Sequence, residues 1–166
     1  VMEPAHGRLT GKDTGAGRLP EPGQIAEFAR TVLAGHPVPF DWKGRKVVVS
    51  AGGTQENLDP VRYIGNRSSG RQGFALAELA AQRGADVTIV AGNTEEIPVP
   101  SGATIVRVTS TRDMEKAMNE SAADADVVIM AAAVADYRPA TVAGSKMKKG
   151  AADEQLAQLE LVENPD

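Results

Sequence analysis

The chain contains no cysteine among its 166 residues, and aromatic residues make up only 4% of it. The lack of cysteine excludes a disulfide scaffold, a cysteine-ligated zinc site and a thiol nucleophile in this chain, and it fits a reducing compartment. The two histidines, His6 and His36, lie near the N-terminus without metal-ligand spacing, and no G-x-S-x-G elbow is present. We therefore expect neither a metal hydrolase nor a hydrolase that uses a catalytic triad.

Charge and hydropathy argue against two further classes of partner. The formal net charge is −4, which gives no electrostatic basis for binding nucleic acid or an anionic membrane. The longest apolar run, Val127 to Ala135, is too short to span a bilayer, and the N-terminal residues lack the apolar core of a signal peptide. We therefore expect a cytoplasmic protein with no nucleic-acid partner and no membrane partner.

The first 40 residues differ from the rest of the chain. Residues 1–23 are rich in Gly and Pro and have no hydrophobic period, which predicts loop or disorder. Pro22 then precedes apolar residues at helical spacing, from Ile25 to Leu33, and Gly35 is a suitable stop. We interpret residues 1–40 as a tail and linker with one short helix, followed by a domain over residues 41–166.

From Trp42 onward the pattern alternates between buried strands and amphipathic helices. Strands are predicted at residues 46–50, 86–90, 103–108 and 126–131, and helices at residues 69–83 and 111–122. Ser110 and Asp113 form a weaker version of a capping box for the second helix. This alternation predicts an α/β, Rossmann-like, three-layer domain with a mostly parallel sheet. A further strand-like segment, residues 158–162, precedes the final Asn164-Pro165-Asp166, and we expect the domain to be truncated there.

Ligands of parallel α/β sheets bind at the carboxyl ends of the strands. Three patches are therefore predicted to converge: Gly52-Gly53, residues 91–93 and residues 132–137. The first core helix opens on Ser68-Ser69-Gly70, whose small residues leave backbone N–H groups and the positive end of the helix dipole available to an anion. These residues favour a phosphate-binding site at this edge of the sheet.

Several nucleotide-binding classes fit these residues to different degrees. A nicotinamide site requires G-x-G-x-x-G directly between strand and helix and an acid about 20 residues later, and both are missing here. The Walker motif is absent as well. A better fit is an enzyme that holds a triphosphate on the helix start, with Asp136 or Asp166 on a divalent cation and Lys146 on a phosphate. The cluster Lys146, Lys148 and Lys149 is either a solvated face or a flap over the polyphosphate.

Four segments, in this order, resemble phosphopantothenoylcysteine synthetase, the synthetase half of bacterial bifunctional coenzyme A biosynthesis proteins. They are SAGGTQENLDPVRYIGNRSSGRQG, AAAVADYRPA, KMKK and ENPD. The resemblance covers residues 46–166, and the family's domain continues beyond ENPD. Residues 4–22 are similar to the end of the decarboxylase half, although Thr10-Gly11-Lys12 replaces the usual A-C-G. FMN binds only in that half, which is otherwise absent here, so decarboxylase activity is not expected.

The resemblance implies a CTP-dependent ligase with two steps. The carboxylate of 4′-phosphopantothenate attacks the α-phosphate of CTP, which forms an acyl-cytidylate and releases pyrophosphate. The amine of L-cysteine then attacks the activated carbonyl and CMP leaves. Magnesium is the implied metal, CTP is a co-substrate, and the family's synthetase is a homodimer. The residue chemistry by itself leaves open a non-catalytic nucleotide-binding module or an NAD(P)-binding oxidoreductase domain.

The resemblance also implies roles for individual residues. Asn66 would act on the acyl-cytidylate, and Lys146 would be a functional lysine. Asn66, Ala132 and Ala133 would contact the substrate, while Asp136 and Asp166 are possible magnesium ligands. The implied nucleotide-binding residues are Gly52, Gly53, Ser68, Ser69, Gly70, Met130, Ala131, Ala132, Ala133, Asp136, Lys146, Pro165 and Asp166.

Overall fold

The computed structural model describes residues 2, 4–8, 14–34, 41–147 and 159–165. None of the helices in this part of the chain has the length and apolarity that a membrane crossing requires. The elements, in chain order, are β1 (Ala5–Arg8), β2 (Thr14–Arg18), α1 (Pro22–Leu33), β3 (Lys46–Ala51), β4 (Gln55–Asn57), β5 (Tyr63–Gly65), α2 (Arg71–Gln82), β6 (Asp86–Ala91), β7 (Thr104–Arg107), α3 (Thr111–Ala122), β8 (Val127–Met130), β9 (Tyr137–Pro139) and β10 (Leu161–Glu163).

Four parallel strands form the central sheet in the order β7-β6-β3-β8. The chain runs outward from β3 through β6 to β7 and then returns to the other side of β3 as β8. The direction of winding therefore reverses between β3 and β8, and this is the switch point at which such sheets bind ligands. The predicted α/β fold with a mostly parallel sheet is confirmed.

Side chains of β3 alternate between two hydrophobic layers. Val47 and Val49 pack with Phe74 of α2, whereas Val48 packs with Met114 of α3 on the opposite face of the sheet. Because successive strand residues point to opposite faces, a strand covered on both sides must be apolar throughout. This explains the continuous valine run of β3 and confirms the predicted three-layer arrangement.

The helix boundaries follow local capping chemistry. Helix α3 has the predicted bounds, and Ser110 and Asp113 form the predicted capping box, with the Asp113 N–H donating to Ser110 Oγ at 3.2 Å. Helix α2 begins at Arg71 rather than at the predicted Ser69. The cause is Gly70, whose φ of 79° is left-handed and lies outside the helical region.

The N-terminal region contains more regular structure than the sequence indicated. The prediction of loop or disorder for residues 1–23 was wrong for β1 and β2, which pair as an antiparallel hairpin. A two-stranded ladder is held by backbone hydrogen bonds, so its Gly-rich sequence shows no alternation of apolar residues. Helix α1 was predicted correctly from Pro22 onward, while its expected stop at Gly35 lies outside the described residues.

Two short antiparallel pairs lie beside the main sheet. Strands β4 and β5 form a hairpin between β3 and α2, where no strand was predicted, and β9 pairs with β10. The strand predicted at residues 158–162 is observed at Leu161–Glu163, and Gln158 lies outside the described residues. Each of these strands has three residues, which is too short for a period-2 pattern to be recognised.

The carboxyl ends of three neighbouring strands meet around Gly53. Its N–H donates to the Asn93 carbonyl at 2.9 Å, and the Asn93 N–H returns a bond of 2.8 Å. On the other side, the Ala133 N–H donates to the Gly52 carbonyl at 2.7 Å, and Thr54 donates to Ala133 at 3.2 Å. The predicted convergence of the three patches is confirmed.

Glycine is required here by the protein's own packing. A Cβ at Gly52, where φ is +79°, would lie 2.4 Å from the Asn93 carbonyl oxygen and 2.6 Å from Thr94 Cγ2. A Cβ at Gly70 would lie 2.6 Å from the same Thr94 methyl. These distances are far below van der Waals contact, so a side chain at either position would force the strand ends apart.

Ser50 terminates the parallel pairing between β3 and β8. Its side chain is fully buried, and Ser50 Oγ accepts hydrogen bonds from the N–H groups of Ala131 at 3.0 Å and Ala132 at 3.1 Å. The hydroxyl thus replaces the carbonyl acceptors that a continued ladder would have supplied. One side chain thereby fixes the path of the chain as it leaves β8.

The crowding at Gly52 can be tested by comparing two alanine variants. Gly102 has a similar φ of +77°, but nothing lies within 4 Å of its missing Cβ. Both substitutions carry the left-handed cost of about 1–2 kcal/mol. Gly52→Ala adds overpacking of about 1–3 kcal/mol. We expect urea unfolding to show a clearly larger loss for Gly52→Ala, and equal losses would contradict the crowding argument.

The role of Ser50 can be tested by removing its hydroxyl. Ser50→Ala leaves two N–H groups without an acceptor, and we expect the free energy of unfolding to fall by about 1–3 kcal/mol. Ser101→Ala is the matched control, because Ser101 is exposed and surface changes usually stay within about 0.5 kcal/mol. If the two variants unfolded at the same urea concentration, Ser50 would not be the terminating acceptor.

Candidate functional site

Asn66 lies against the switch point between β3 and β8. It follows β5, and its Nδ2 donates to the Val134 carbonyl at 3.0 Å. Its own carbonyl oxygen packs over Gly53, where a Cβ would lie 2.6 Å away. The side chain is exposed, and one amide N–H has no acceptor in the described part of the chain. The structure therefore brings Asn66 to the strand ends, oriented by one bond and with a second donor available.

The start of α2 lies at the same edge of the sheet. Ser69 is tied into the loop, because its carbonyl accepts from Glu95 N–H at 3.1 Å and its Oγ lies 3.4 Å from the Arg71 nitrogen. The N-cap residue of α2, Gly70, supplies no side-chain cap, and Ser69 Oγ accepts only from the first helical N–H, that of Arg71. Over the described ranges, the N–H groups of Gln72 and Gly73 have no acceptor. Unpaired donors at a helix start favour an anionic ligand. The predicted phosphate role of Ser68, Ser69 and Gly70 remains a prediction.

Two arginines, Arg71 and Arg107, lie near this helix start. Arg71 contacts Glu95 through Nε at 3.0 Å and Nη2 at 2.8 Å, with both groups exposed. Arg107 Nη1 donates to Thr94 Oγ1 at 3.1 Å, and Thr94 packs on Gly70. Arg107 and Thr94 were missed by the sequence analysis, since they come from the β6–β7 region and only the fold brings them to the helix start.

The end of β8 forms the other wall of the crevice. Ala131 and Ala132 are held by Ser50, and Ala133 is bonded on both sides to the β3 end. Met130 is 66% exposed, as the last residue of an edge strand. The small side chains after it leave backbone accessible beside Gly53. The predicted residues Met130 to Ala133 are thus brought next to Gly52-Gly53.

A buried polar hub, formed by Thr54, Glu56, Thr111 and Asn164, supports this wall. Glu56 is 4% exposed, and its Oε1 accepts from the Thr111 N–H and from Thr111 Oγ1, both at 2.8 Å. Asn164 Nδ2 donates to the Ala135 carbonyl at 2.7 Å and to Thr111 Oγ1 at 3.2 Å. The hub joins the β4–β5 hairpin, the start of α3 and the segment after β10.

Asp136 is exposed beside this hub, and its backbone carbonyl accepts from the Asn164 N–H at 2.7 Å. Pro165 therefore lies close to Asp136, whereas Asp166 falls outside the described residues. No group of three or more acidic or histidine side chains suited to a metal is found in the described ranges. Magnesium usually binds one or two carboxylates together with substrate phosphates, so Asp136 fits such a site as one carboxylate.

Lys146 is exposed and lies near the tip of the β4–β5 hairpin. The preceding Ala143 N–H donates to the Leu58 carbonyl at 2.9 Å, and the following Met147 is bonded to Asp59 and Arg62. In the described part of the chain the Lys146 side chain makes no hydrogen bond to another candidate residue. Lys148 and Lys149 lie outside the described residues.

Asp59 and Arg62 form a charged pair that the sequence analysis missed. Asp59 is 1% exposed. Burial alone would raise its pKa, but the Arg62 guanidinium and the N–H groups of Val61, Met147 and Arg62 hold the pKa of Asp59 below its usual range. The D-P-V-R sequence was an available signal, because Asp before Pro commonly bonds the N–H groups of its own turn.

An apolar groove of about 250 Å³ runs between α3 and the edge strand β8. Met114 and Met118 line it from the helix, Val128 and Met130 from the strand, and Pro165 from the C-terminal segment. The groove adjoins the crevice because Met130 belongs to both.

Comparisons with known proteins identify the family of this chain. A family model described as DNA/pantothenate metabolism flavoprotein C-terminal domain matches residues 42–166. The coenzyme A biosynthesis bifunctional protein CoaBC of Mycobacterium bovis is 54% identical over 167 residues, which cover 100% of this chain and 40% of that protein. This chain thus spans about two fifths of the length of the curated relatives it matches.

Solved structures extend the similarity to the fold. The C-terminal domain of a CoaBC superposes with a TM-score of 0.63 at 39% identity, covering 75% of this chain and 56% of that one. A Cab2 variant in complex with phosphopantothenate-cysteine shares the fold, with a TM-score of 0.51 at 18% identity over 89% of this chain and 64% of that one. The resemblance drawn from the four motifs is confirmed, and the chain belongs to the DNA/pantothenate metabolism flavoprotein C-terminal domain family.

Proposed function

We propose that this chain forms the nucleotide-binding part of a phosphopantothenate–cysteine ligase of coenzyme A biosynthesis, with CTP as co-substrate. The observation that carries the proposal is the meeting of the uncapped α2 start, Asn66 and the β8 end at the switch point. Relatives named for coenzyme A biosynthesis supply the reaction class. A non-catalytic nucleotide-binding module or an NAD(P)-binding oxidoreductase domain would not explain why this chain resembles proteins named for coenzyme A biosynthesis.

The proposed reaction solves a chemical problem in two steps. A carboxylate is a poor acyl donor, so the carboxylate of 4′-phosphopantothenate first attacks the α-phosphate of CTP and pyrophosphate leaves. The resulting acyl-cytidylate has a good leaving group. The amine of L-cysteine then attacks its carbonyl carbon, the amide forms, and CMP is released. The protein must bind the triphosphate and stabilise the oxyanion of the second step.

The α2 start is suited to the triphosphate. The N–H groups of Gln72 and Gly73 have no acceptor within the described ranges, and residues Ser68 and Ser69 add hydroxyls beside them. The basic side chains around the helix start offset phosphate charge. Asp136 would hold a magnesium ion on the phosphates, and that ion would supply further charge neutralisation when bound. We extend the same role to Asp166.

Asn66 is suited to the second step. Its amide is oriented by the Val134 carbonyl and retains a second N–H donor near the β8 end. A neutral donor in this position strengthens its bond as negative charge develops on the carbonyl oxygen, and it does so without titrating. Ala132 and Ala133 would let the pantetheine chain lie close to backbone.

We also propose the oligomeric state, the cellular location and the fused partner domain of the enzyme. We infer a cytoplasmic homodimer that contacts through the synthetase domain and is joined to a decarboxylase half. The relatives are named as bifunctional proteins, which is consistent with a second, fused activity. FMN would bind only in that half. No nucleic-acid or membrane partner is proposed.

Asn66→Asp is expected to separate the two steps. The carboxylate cannot donate to the carbonyl oxygen and would be repelled by the Val134 carbonyl, so pyrophosphate release should persist while the final product falls by about a hundredfold or more. Both products are measured in the full-length protein. Asn57→Asp, on an exposed strand residue, is the control and should leave both steps unchanged. Equal loss of both steps in Asn66→Asp would contradict the proposed role.

Lys146→Gln is expected to raise the KM for CTP by about tenfold or more, because a charge-assisted bond to phosphate contributes about 1.5–3 kcal/mol. Lys116→Gln, which removes an exposed charge from α3, is the matched control. An unchanged KM in Lys146→Gln would assign the lysine cluster to the solvated-face interpretation.

The proposal as a whole is tested by pyrophosphate release from the full-length protein with magnesium, comparing CTP with ATP. Release that requires both CTP and 4′-phosphopantothenate is the expected result. Nucleotide binding in a melting assay without any release would instead support the binding module. Binding of NADPH in its place would support the oxidoreductase domain.

A further inference from the structure

Both backbone polar groups of Met147 are hydrogen-bonded to the β4–β5 hairpin. Its N–H donates to Asp59 Oδ2 at 3.1 Å, and its carbonyl accepts from Arg62 Nη2 at 2.7 Å. Asp59 and Arg62 are themselves joined, with Arg62 Nε and Nη2 at 3.0 and 2.6 Å from Asp59 Oδ2. We call Asp59 and Arg62 the carboxylate clamp.

The two carboxylate oxygens of Asp59 accept different sets of hydrogen bonds. Oδ1 accepts from the N–H groups of Val61 and Arg62, both at 2.8 Å, and so holds the turn at the hairpin tip. Oδ2 receives all the bonds from the Arg62 side chain and from Met147. The bond from the Met147 N–H to Oδ2 can therefore be removed while Oδ1 still accepts the bonds that form the turn.

The clamp lies directly beside Lys146. Consecutive Cα atoms are about 3.8 Å apart, so fixing Met147 confines the Cα of Lys146 to a small region. A second bond, from the Ala143 N–H to the Leu58 carbonyl at 2.9 Å, holds the other side of the same short segment. Both anchors belong to the hairpin that leads into Asn66.

We propose that Asp59 and Arg62 are positioning residues for Lys146, setting where its ammonium group can meet the nucleotide phosphates. The inference rests on the proposed function, because it gives Lys146 a phosphate to meet. A lysine side chain is long and flexible, and ordering it costs conformational entropy. Anchoring its backbone in advance reduces the freedom that must be lost when nucleotide binds.

The chemistry of the clamp explains why both residues are charged. Arg62 donates to Asp59 Oδ2 from both Nε and Nη2 and to the Met147 carbonyl from Nη2, a rigid fork that the single nitrogen of a lysine does not reproduce. A buried carboxylate is costly unless paired, and such pairs are best explained where they fix one arrangement of the chain. Here the fixed arrangement is the approach of residues 143–147 to the hairpin.

Asp59→Asn is the sharpest test. It retains Oδ1 for the turn but turns Oδ2 into an NH₂ group, which faces three other donors, Arg62 Nε, Arg62 Nη2 and the Met147 N–H. We expect amide hydrogen exchange of Met147 to accelerate by about tenfold or more. The KM for CTP should rise about tenfold, as for Lys146→Gln, while the KM for L-cysteine stays unchanged. In a Lys146→Gln background, Asp59→Asn should add little further to the KM for CTP.

Two further variants make the test specific. Asp41→Asn breaks another aspartate–arginine pair, Asp41 with Arg83, which is more exposed and lies at a different place on the surface. It should change neither Met147 exchange nor the KM for CTP. Arg62→Lys keeps the charge and the Asp59 turn bonds but loses the double contact, and it should reproduce Asp59→Asn. If Asp59→Asn fails to fold, Arg62→Lys provides the same test of the clamp.

Three results would overturn the inference. Unchanged Met147 exchange in both clamp variants would mean that the clamp does not hold this segment. Faster exchange with additive effects of Asp59→Asn and Lys146→Gln on the KM would mean that the clamp does not act through Lys146. If the unsubstituted protein released no pyrophosphate, the proposed function would fail and the positioning role with it. The exchange result would still show separately whether the clamp exists.

Discussion

The site depends on one steric constraint, the close approach of backbone to backbone where β3 ends. Gly53 is bonded to Asn93 on one side, and its neighbours Gly52 and Thr54 are bonded to Ala133 on the other. No side chain fits between these segments, as the distances around Gly52 and Gly70 demonstrate. The spacing of the crevice walls, the start of α2 and the placement of Asn66 all follow from this contact.

Much of the fold could be predicted because its signals are local. A strand buried on both faces must be apolar throughout, so β3 and β6 were visible as short runs. The edge strand β8 was visible as an apolar run too, although Val128 and Met130 are exposed. Helix α3 was bounded correctly because Ser110 and Asp113 cap it within one turn. The converging patches followed from a general rule on parallel sheets. The roles of Asp136 on a cation and Lys146 on a phosphate were first proposed from residue chemistry, whereas the role of Asn66 came only from the resemblance. All three remain predictions.

The missed features share a different physical origin. Ser50, the polar hub and the carboxylate clamp act through bonds between residues far apart in sequence, such as Glu56 with Thr111 or Asp59 with Met147. The residues next to a side chain in the sequence do not reveal a bonding partner that lies far away in the chain. The β1–β2 hairpin was missed for another reason, since backbone pairing among glycines produces no hydrophobic alternation.

The bond between Ser50 and Ala131 has a consequence for how the domain folds while the protein is being synthesised. It joins residues 81 positions apart and closes the last pairing of the sheet, between the first core strand and the fourth. Pairings between distant segments are slow because the intervening chain must lose entropy first. On the ribosome, the crevice therefore cannot exist until β8 has emerged. A ligand that binds in the crevice would therefore stabilise only the finished domain, by mass action, and would not guide the earlier stages of folding.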